Sequence, residues 1–307
     1  MTATAAPTSR FAAFAGWIDR YRHWTRAVLL ANLIGQIGII GTGGAVRLTE
    51  SGLGCSTWPE CEPGQFTPQF HEATTLHPYI EFGNRTLTGV LAVIGVLVAV
   101  AVCTDLKRSM SYRLLGLVPI IGVLAQAVIG GIVVLLDLHP GWVSLHFGVS
   151  AALVAASLYV LHRHGEGDDA PTRVVGPRAH ALAWALAALT AVVVVLGVLT
   201  TGAGPHSGDA EVGYRIAVDP ALLTKWHAAA VWAFLAVLVA YLVAVRGGPA
   251  PVRRAALILL AITLAQGLIG YVQYFTDLPA LLVGLHMIGA AVLIAGSTRV
   301  WLSNRVR

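Results

Sequence analysis

The residues best suited to chemistry are histidines in two matching stretches, Gln126–His146 and Gln266–His286. In both stretches the Gln and the His are 20 residues apart, and an Asp stands 9 residues before the His. Agreement without a gap indicates a duplicated unit. Each copy predicts an apolar helix, a short acidic turn, and a second apolar helix that carries its histidine near the start. A histidine inside a membrane-spanning helix is expected to be functional.

The composition predicts an integral membrane protein. The 307 residues are 56% hydrophobic and 11% charged, whereas soluble domains average about 25% charged residues. The apolar runs are too long for barrel strands and lack their alternation, so the fold class is all-α. A membrane-spanning helix needs about 20 apolar residues. Eight transmembrane helices are predicted, at roughly 24–46, 79–103, 114–136, 142–162, 179–200, 221–245, 253–275 and 280–302.

The repeat divides these helices into two pseudo-symmetric four-helix bundles. We predict an N-terminal segment 1–23, a first half 24–165, a linker 166–178 and a second half 179–307. The even helix count makes the repeat parallel in topology. Residues 1–23 lack an apolar core before a small-residue cleavage site, so we expect no cleaved signal peptide.

The basic residues predict the orientation in the membrane. Of the 20 Lys and Arg residues, 16 fall before the first helix, in every second connection and at the chain end. By the positive-inside rule, these segments and both termini are cytoplasmic in a multi-pass cell-membrane protein. The net charge of +5 therefore reflects topology rather than nucleic-acid binding.

The longest outer loop, 47–77, contains Cys55 and Cys61. Disulfides persist in oxidising compartments, so we predict that these two cysteines are bonded. The bond is either a structural staple or a redox-active or substrate-anchoring pair beside a site. Cys103, at the inner end of the second helix, is expected to serve packing only.

The second helix opens with a charged pair. Glu81 and Arg85 are four residues apart, on one helix face, in the outer third of the membrane. Charged side chains at that depth cost free energy unless they pair with each other or face a cavity. A structural ion pair is one interpretation, but Asn84 and Tyr79 add polar groups that favour a cavity lining.

Aligning the halves suggests a haem site. Asn84 falls opposite His227, and both histidines of the second half, His227 and His286, lie on the order of 6–11 Å below the outer surface at 1.5 Å per residue. Two facing imidazoles in a helical bundle suit the axial positions of a low-spin haem. Zinc and copper are less favoured, since no third or fourth ligand lies near either histidine.

The first half offers one good ligand, His146. Its partner position holds Asn84, a poor iron ligand, so a haem there would be five-coordinate or take a weak ligand such as water. The possible substitutes, His71, His77 and His139, are nearer the surface. Asymmetry of this kind separates an electron-transfer haem from a reactive one.

Several motifs resemble the heme A synthase family, over essentially the whole chain. The similar pieces are Val46–Cys55, Trp58–Cys61, Ile80–Arg85, Gly204–Asp209 and the histidines His146, His227 and His286. The prominent departure is Asn84, where the family pattern usually has a fourth histidine.

The resemblance implies that His227 and His286 hold a haem b. The first half would bind heme O as substrate, with His146 as iron ligand and Glu81 acting near the methyl group that is oxidised through an alcohol to an aldehyde. Arg85 would pair with Glu81 or with a haem propionate. Implied partners are an electron acceptor and a heme O synthase or oxidase assembly factors.

Two other functions remain open on the sequence. A dihaem membrane cytochrome that only transfers electrons would need a bis-His site in each half, and Asn84 argues against that. A transporter would suit parallel repeats. However, the polar residues cluster at the outer face, and the helix centres are nearly all apolar.

Overall fold

The computed structural model describes residues 9–70 and 75–307. The regular structure of the described chain is helical, apart from one small antiparallel sheet. The helices are α1 Arg10–Ile18, the 3-10 segment Asp19–Trp24, α2 Thr25–Leu48, α3 His77–Cys103, α4 Met110–Leu115, α5 Val118–Leu135, α6 Pro140–His164, α7 Pro177–Ala203, α8 Pro220–Ala244, α9 Ala250–Phe275 and α10 Ala280–Ser303. The strands are β1 Thr172–Arg173 and β2 Arg305–Val306.

Eight helical spans in the described chain are long and apolar enough to cross a membrane. The first runs from α1 through α2, and the others are α3, α4 with α5, and α6 to α10, which confirms the predicted all-α membrane fold. Helix α5 begins separately from α4 because Pro119, in its first turn, removes a backbone donor and clashes with the preceding turn.

One helical stretch was not predicted. In the segment 1–23, for which no helix was predicted, residues 10–24 form α1 and the 3-10 turn and run on into α2. Ser9 caps this helix, since its hydroxyl accepts a hydrogen bond from the Ala12 N–H.

Prolines in the first turn fix where several helices begin. They open α3, α6, α7, α8 and α9, positions where the missing N–H is not needed. As a result, Asn84 and His227 each lie seven residues past the first residue of their helix, and His146 and His286 each lie six past theirs. All four therefore sit at a depth of about 10 Å along their helices.

Both ends of the described chain lie on one side of the molecule, here called the terminal face. Strand β1, between α6 and α7, pairs with β2 at the chain end. Near the other end, Arg22 donates a hydrogen bond to Thr104 after α3 (3.1 Å). The opposite side, the loop face, carries residues 49–70 and 204–219. The cytoplasmic location of the terminal face remains a prediction.

The two halves meet through apolar side chains of α2 and α6 from one half and α10 from the other. Ile40, Val154, Ala291 and Ile294 are buried in this contact. At the loop face, the Gly52 N–H donates to the Gly208 carbonyl oxygen (2.7 Å), which joins the two outer loops. The two halves are therefore in contact both between their helices and at the loop face.

The repeat is visible in the backbone. Asp137 and Leu138 have φ of 47° and 56°, and Asp277 and Leu278 have φ of 57° and 56°. Residues with side chains seldom adopt this left-handed conformation. The same unusual turn at both predicted positions supports the duplicated unit.

Candidate functional site

One cavity of about 1230 Å³ extends across both halves near the loop face. Cavities for drug-sized ligands are typically about 300–1,000 Å³, so this one has room for a large ligand or for more than one. Its lining is mainly apolar and includes the three predicted histidines, His146, His227 and His286, and also Glu81, Asn84 and Arg85. The structure thus brings the predicted site residues of both halves to one shared space.

In the second half, His227 and His286 face each other across the cavity. Their ring centroids are 6.3 Å apart, and the rings are inclined by 75°. A metal–nitrogen bond to histidine is about 2 Å, and a ring nitrogen lies about 1 Å from its centroid, so two imidazoles on opposite sides of one metal have centroids about 6 Å apart. The pair therefore has the spacing of two axial ligands.

A hydrogen bond orients one of these rings. Nδ1 of His227 lies 3.1 Å from the carbonyl oxygen of Val193 in α7. Such a bond to a backbone carbonyl fixes the tautomer and leaves Nε2 available to bind a metal. Nδ1 of His286 is buried and has no hydrogen-bond partner among the described residues.

Each histidine ring packs against a glycine that the sequence analysis did not single out. A Cβ on Gly130 would lie 3.3 Å from Cε1 of His146, one on Gly197 would lie 3.1 Å from His227, and one on Gly270 would lie 3.4 Å from His286. Spacing held a clue, because both Gly130 and Gly270 stand 16 residues before their histidine. These glycines give the rings room to stand against the neighbouring helix.

The first half provides one cavity-lining histidine. Gln126 donates a hydrogen bond from Nε2 to the His146 carbonyl oxygen (2.9 Å), which ties α5 to α6 at this point. The aligned position in α3 holds Asn84, whose Oδ1 accepts a hydrogen bond from Thr42 Oγ1 (2.8 Å).

The possible substitute ligands do not line the described part of the cavity. Nδ1 of His77 lies 2.8 Å from Ser51 Oγ, and His139 caps the start of α6. His71 lies outside the residues that the structure describes.

Glu81 is buried, with 5% of its surface exposed, and both of its carboxylate oxygens accept hydrogen bonds. Oε1 accepts from Arg85 Nε (3.1 Å) and Nη2 (2.5 Å), and Oε2 accepts from the Cys55 N–H (2.7 Å). Nη1 of Arg85 donates to the carbonyl oxygens of Thr57 (2.9 Å) and Glu60 (3.1 Å). The two interpretations of this pair are therefore compatible: it is an ion pair, and it lines the cavity.

The cysteine loop holds Glu81 in place. Cys55 and Cys61 are both fully buried, and their Sγ atoms are 2.02 Å apart, a bonding distance. The loop packs on α3 at Gly54, where a side chain would overlap the His77 backbone. It packs on α5 through the Trp58 ring, which lies 2.6 Å from where a Cβ on Gly131 would stand. Cys103 is separate from this loop, and its thiol donates to the Arg113 carbonyl oxygen.

Fold and site together define a multi-pass membrane protein with paired histidines on a shared apolar cavity. Residues 26–206 match the model of the COX15-CtaA family, described as cytochrome oxidase assembly protein. The match covers more than half of the chain, which therefore belongs to this family. The matched range includes Glu81, Asn84 and His146, whereas His227 and His286 lie beyond it.

Curated relatives agree with this family. The chain is 32% identical over 145 residues to a heme A synthase of Lysinibacillus sphaericus (46% of this chain, 44% of the relative). It is 33% identical over 157 residues to one of Bacillus pumilus (50% and 47%) and 28% identical over 165 residues to one of Exiguobacterium sp. (53% and 53%). The chain thus spans about half the length of the curated relatives it matches.

Proposed function

We propose that this protein is a heme A synthase that oxidises a methyl group of heme O to a formyl group through an alcohol intermediate. The observation that carries the proposal is that the two halves of one cavity are lined by different functional side chains. The second half presents the His227–His286 pair, and the first half presents His146 beside the buried carboxylate of Glu81. One half is suited to hold an electron-transfer haem, and the other to hold a reacting substrate.

The second-half residues fit a haem b. The imidazole spacing of 6.3 Å matches two axial ligands, and the cavity walls are apolar, as a porphyrin face requires. When bound there, a bis-His haem supplies one-electron transfer. His227 and His286 hold it, the Val193 carbonyl orients His227, and Gly197 and Gly270 leave space for the rings.

The first-half residues fit a substrate held by one histidine. Nδ1 of His146 is buried without a hydrogen-bond partner among the described residues, which leaves the ring free to bind heme O. Asn84 cannot supply an imidazole, and its amide oxygen is occupied by Thr42. Substrate would therefore bind through His146 alone, with the other face open to water.

Glu81 is the group best placed to assist the oxidation. Three donors support its ionised form, two from Arg85 and one from the Cys55 N–H. A fixed carboxylate stabilises positive charge that develops at a carbon losing electrons, and it can accept a proton released there. Arg85 acts as a positioning residue, since its guanidinium connects Glu81 to the loop carbonyls.

The Cys55–Cys61 bond serves in this proposal as a staple. Both sulfurs are buried, and the Cys55 N–H is a direct partner of Glu81. Loss of the bond would free the segment that holds the carboxylate. A bond on this loop also agrees with the predicted placement of the loop face in the oxidising compartment.

The proposed setting is the cell membrane, with the terminal face in the cytoplasm. With water as the oxygen donor, oxidation of the methyl group to the alcohol and then to the aldehyde releases electrons and protons, so an electron acceptor is a required partner. A heme O synthase would supply the substrate, and oxidase assembly factors would receive the product.

The test is co-expression of the chain with a heme O source in a host that lacks heme A, followed by haem extraction and mass analysis. The proposal expects heme A, its alcohol intermediate, or both. Recovery of only haem b and heme O, even after a native electron-transfer partner is added, would contradict it and support a dihaem electron-transfer cytochrome instead.

A further inference from the structure

The cations of the cavity do not follow the general charge distribution. Four Lys and Arg residues lie outside the basic segments of the terminal face: Arg47, Arg85, Arg215 and Lys225. Three of them, Arg47, Arg85 and Lys225, line the cavity, where Glu81 is the only Asp or Glu among the described lining residues. The cavity therefore has more positive than negative groups.

Two of the four are fully engaged by the protein. Arg85 binds Glu81 and two loop carbonyls. Arg215 donates to four backbone carbonyl oxygens, those of Gly204, Val212, Tyr214 and Pro205. Lys225 is exposed.

Arg47 differs from all of these. Its Nη2 donates to the Thr201 carbonyl oxygen (3.1 Å), and its Nε is buried with no partner among the described residues. No carboxylate of the described residues lies within ion-pair distance of Arg47. A guanidinium without an anion is costly to bury, and its planar fork suits bidentate binding of a carboxylate.

The position of Arg47 connects the two halves. The residue lies in the last turn of α2 in the first half, and the Thr201 that it contacts lies in the last turn of α7 in the second half. Gly208, from the second outer loop, packs against the Arg47 side chain and backbone, at 3.8 and 3.9 Å from its would-be Cβ. A carboxylate bound here would lie at the boundary between the two haem positions.

We propose that Arg47 binds a carboxylate side chain of a tetrapyrrole in this cavity and so anchors it at the boundary between the halves. This inference rests on the proposed haem binding. Of the two alternatives stated for Arg85, pairing with Glu81 or with a haem propionate, the structure shows the first, and the donors of Arg85 are taken by Glu81 and the loop.

The test compares two porphyrins that differ only in their carboxylates. Full-length protein, purified from a haem-deficient host, is titrated with iron protoporphyrin and with its dimethyl ester, and binding is followed by the shift of the visible absorption band. The wild type is expected to prefer the free acid. Arg47→Leu is expected to weaken binding of the free acid by about tenfold to a hundredfold, the range of a charge-assisted hydrogen bond, and to leave binding of the ester unchanged. Arg47→Lys is expected to restore part of the preference.

Arg254→Leu is the matched control, because Arg254 is exposed on α9 and remote from the cavity lining. It should keep the wild-type preference. An undiminished preference in Arg47→Leu would overturn the proposal, as would an equal loss for both porphyrins, which indicates a structural role. If the wild type binds neither porphyrin, the proposed function itself fails.

Discussion

The two halves of this protein share a backbone plan but carry different side chains at matching places. Both halves have the left-handed Asp-Leu turn. In both, a glycine packs against the histidine that follows this turn in the sequence. Yet Glu81 of the first half aligns with Thr224 of the second, and Asn84 aligns with His227. Under the proposed function, the repeat would provide two porphyrin positions, and the first half alone would carry out the oxidation.

A glycine shows how the halves diverged around their loops. Gly131 occupies the position that Tyr271 occupies in the second repeat. In the first half the missing side chain makes room for Trp58 of the cysteine loop. In the second half the Tyr271 hydroxyl accepts a hydrogen bond from Trp232 instead (3.1 Å). Only the first half therefore has space for a loop that reaches down to hold a carboxylate.

The largest expected effect comes from removing that carboxylate. Glu81→Gln keeps the size of the side chain and removes its charge. Product formation in the co-expression assay should fall by at least about a hundredfold, the contribution of a positioned acid–base group, while haem b remains bound. Thr224→Val, at the matching place in the second half, is the control and should retain activity. Full activity in Glu81→Gln would remove this residue from the mechanism.

A second substitution makes the first half resemble the second. Asn84→His places an imidazole opposite His146, at the depth where His227 faces His286. Membranes that contain heme O should then show an additional low-spin haem signal, because the substrate iron gains a second imidazole, and product formation should persist, because the family pattern usually has a histidine at this position. Electron paramagnetic resonance measures the first effect and haem extraction the second. An unchanged spectrum would mean that residue 84 does not face the substrate iron.

Filling the gap under Trp58 tests whether the loop serves the first half alone. Gly131→Ala would press a methyl group into the Trp58 ring, which should cost about 1–3 kcal/mol of unfolding free energy by overpacking. Product formation should fall while the His227–His286 haem signal persists. Gly148→Ala, in α6 with open space around it, should be neutral or stabilising. Equal thermal stability of the two variants would contradict the packing account.

The smallest effect concerns the terminal face. Asp168, in the α6–α7 connection, accepts hydrogen bonds from Arg108 Nε (2.9 Å) and from the N–H (2.7 Å) and hydroxyl (2.9 Å) of Ser109. The bond from Arg108 chiefly holds the pKa of this carboxyl well below its usual value, so folding favours the ionised form. The resulting stability is present above the unfolded pKa of about 3.9 and is lost as pH falls through the folded pKa.

Asp168→Asn should therefore lower the unfolding free energy by about 1 kcal/mol near pH 7, as for partly exposed ion pairs. The difference from the wild type should shrink below about pH 4. Thermal unfolding in detergent at several pH values measures both. A difference that stays constant across that range would show that the carboxylate charge is not responsible.

The features that could be predicted are those that depend on residues close together in the sequence. Long apolar runs, and prolines at the start of helices, predicted the eight spans. Equal spacing in the repeat predicted that His146 and His286 lie at the same depth. Helix α1 was missed because its apolar stretch, residues 11–18, is too short to be recognised as a membrane-spanning helix. The Gly130 and Gly270 positions could have been found from their common spacing to the histidines.

Other features depend on contacts that no local pattern encodes. Arg85 donates hydrogen bonds to the carbonyl oxygens of Thr57 and Glu60, which lie 28 and 25 residues before it in the sequence. The exposure of Arg47 to the shared cavity depends on how α2 meets α7, 154 residues away. Sequence alone could place these arginines near the outer surface, but it could not divide their roles.

The most direct test of the division between halves is the low-spin haem signal of the purified protein in three single variants. The account predicts that His227→Ala and His286→Ala each abolish the bis-His signal in electron paramagnetic resonance, whereas His146→Ala leaves that signal intact and abolishes heme A formation. Loss of the low-spin signal in His146→Ala, or its persistence in His227→Ala, would contradict the assignment of the electron-transfer haem to the second half.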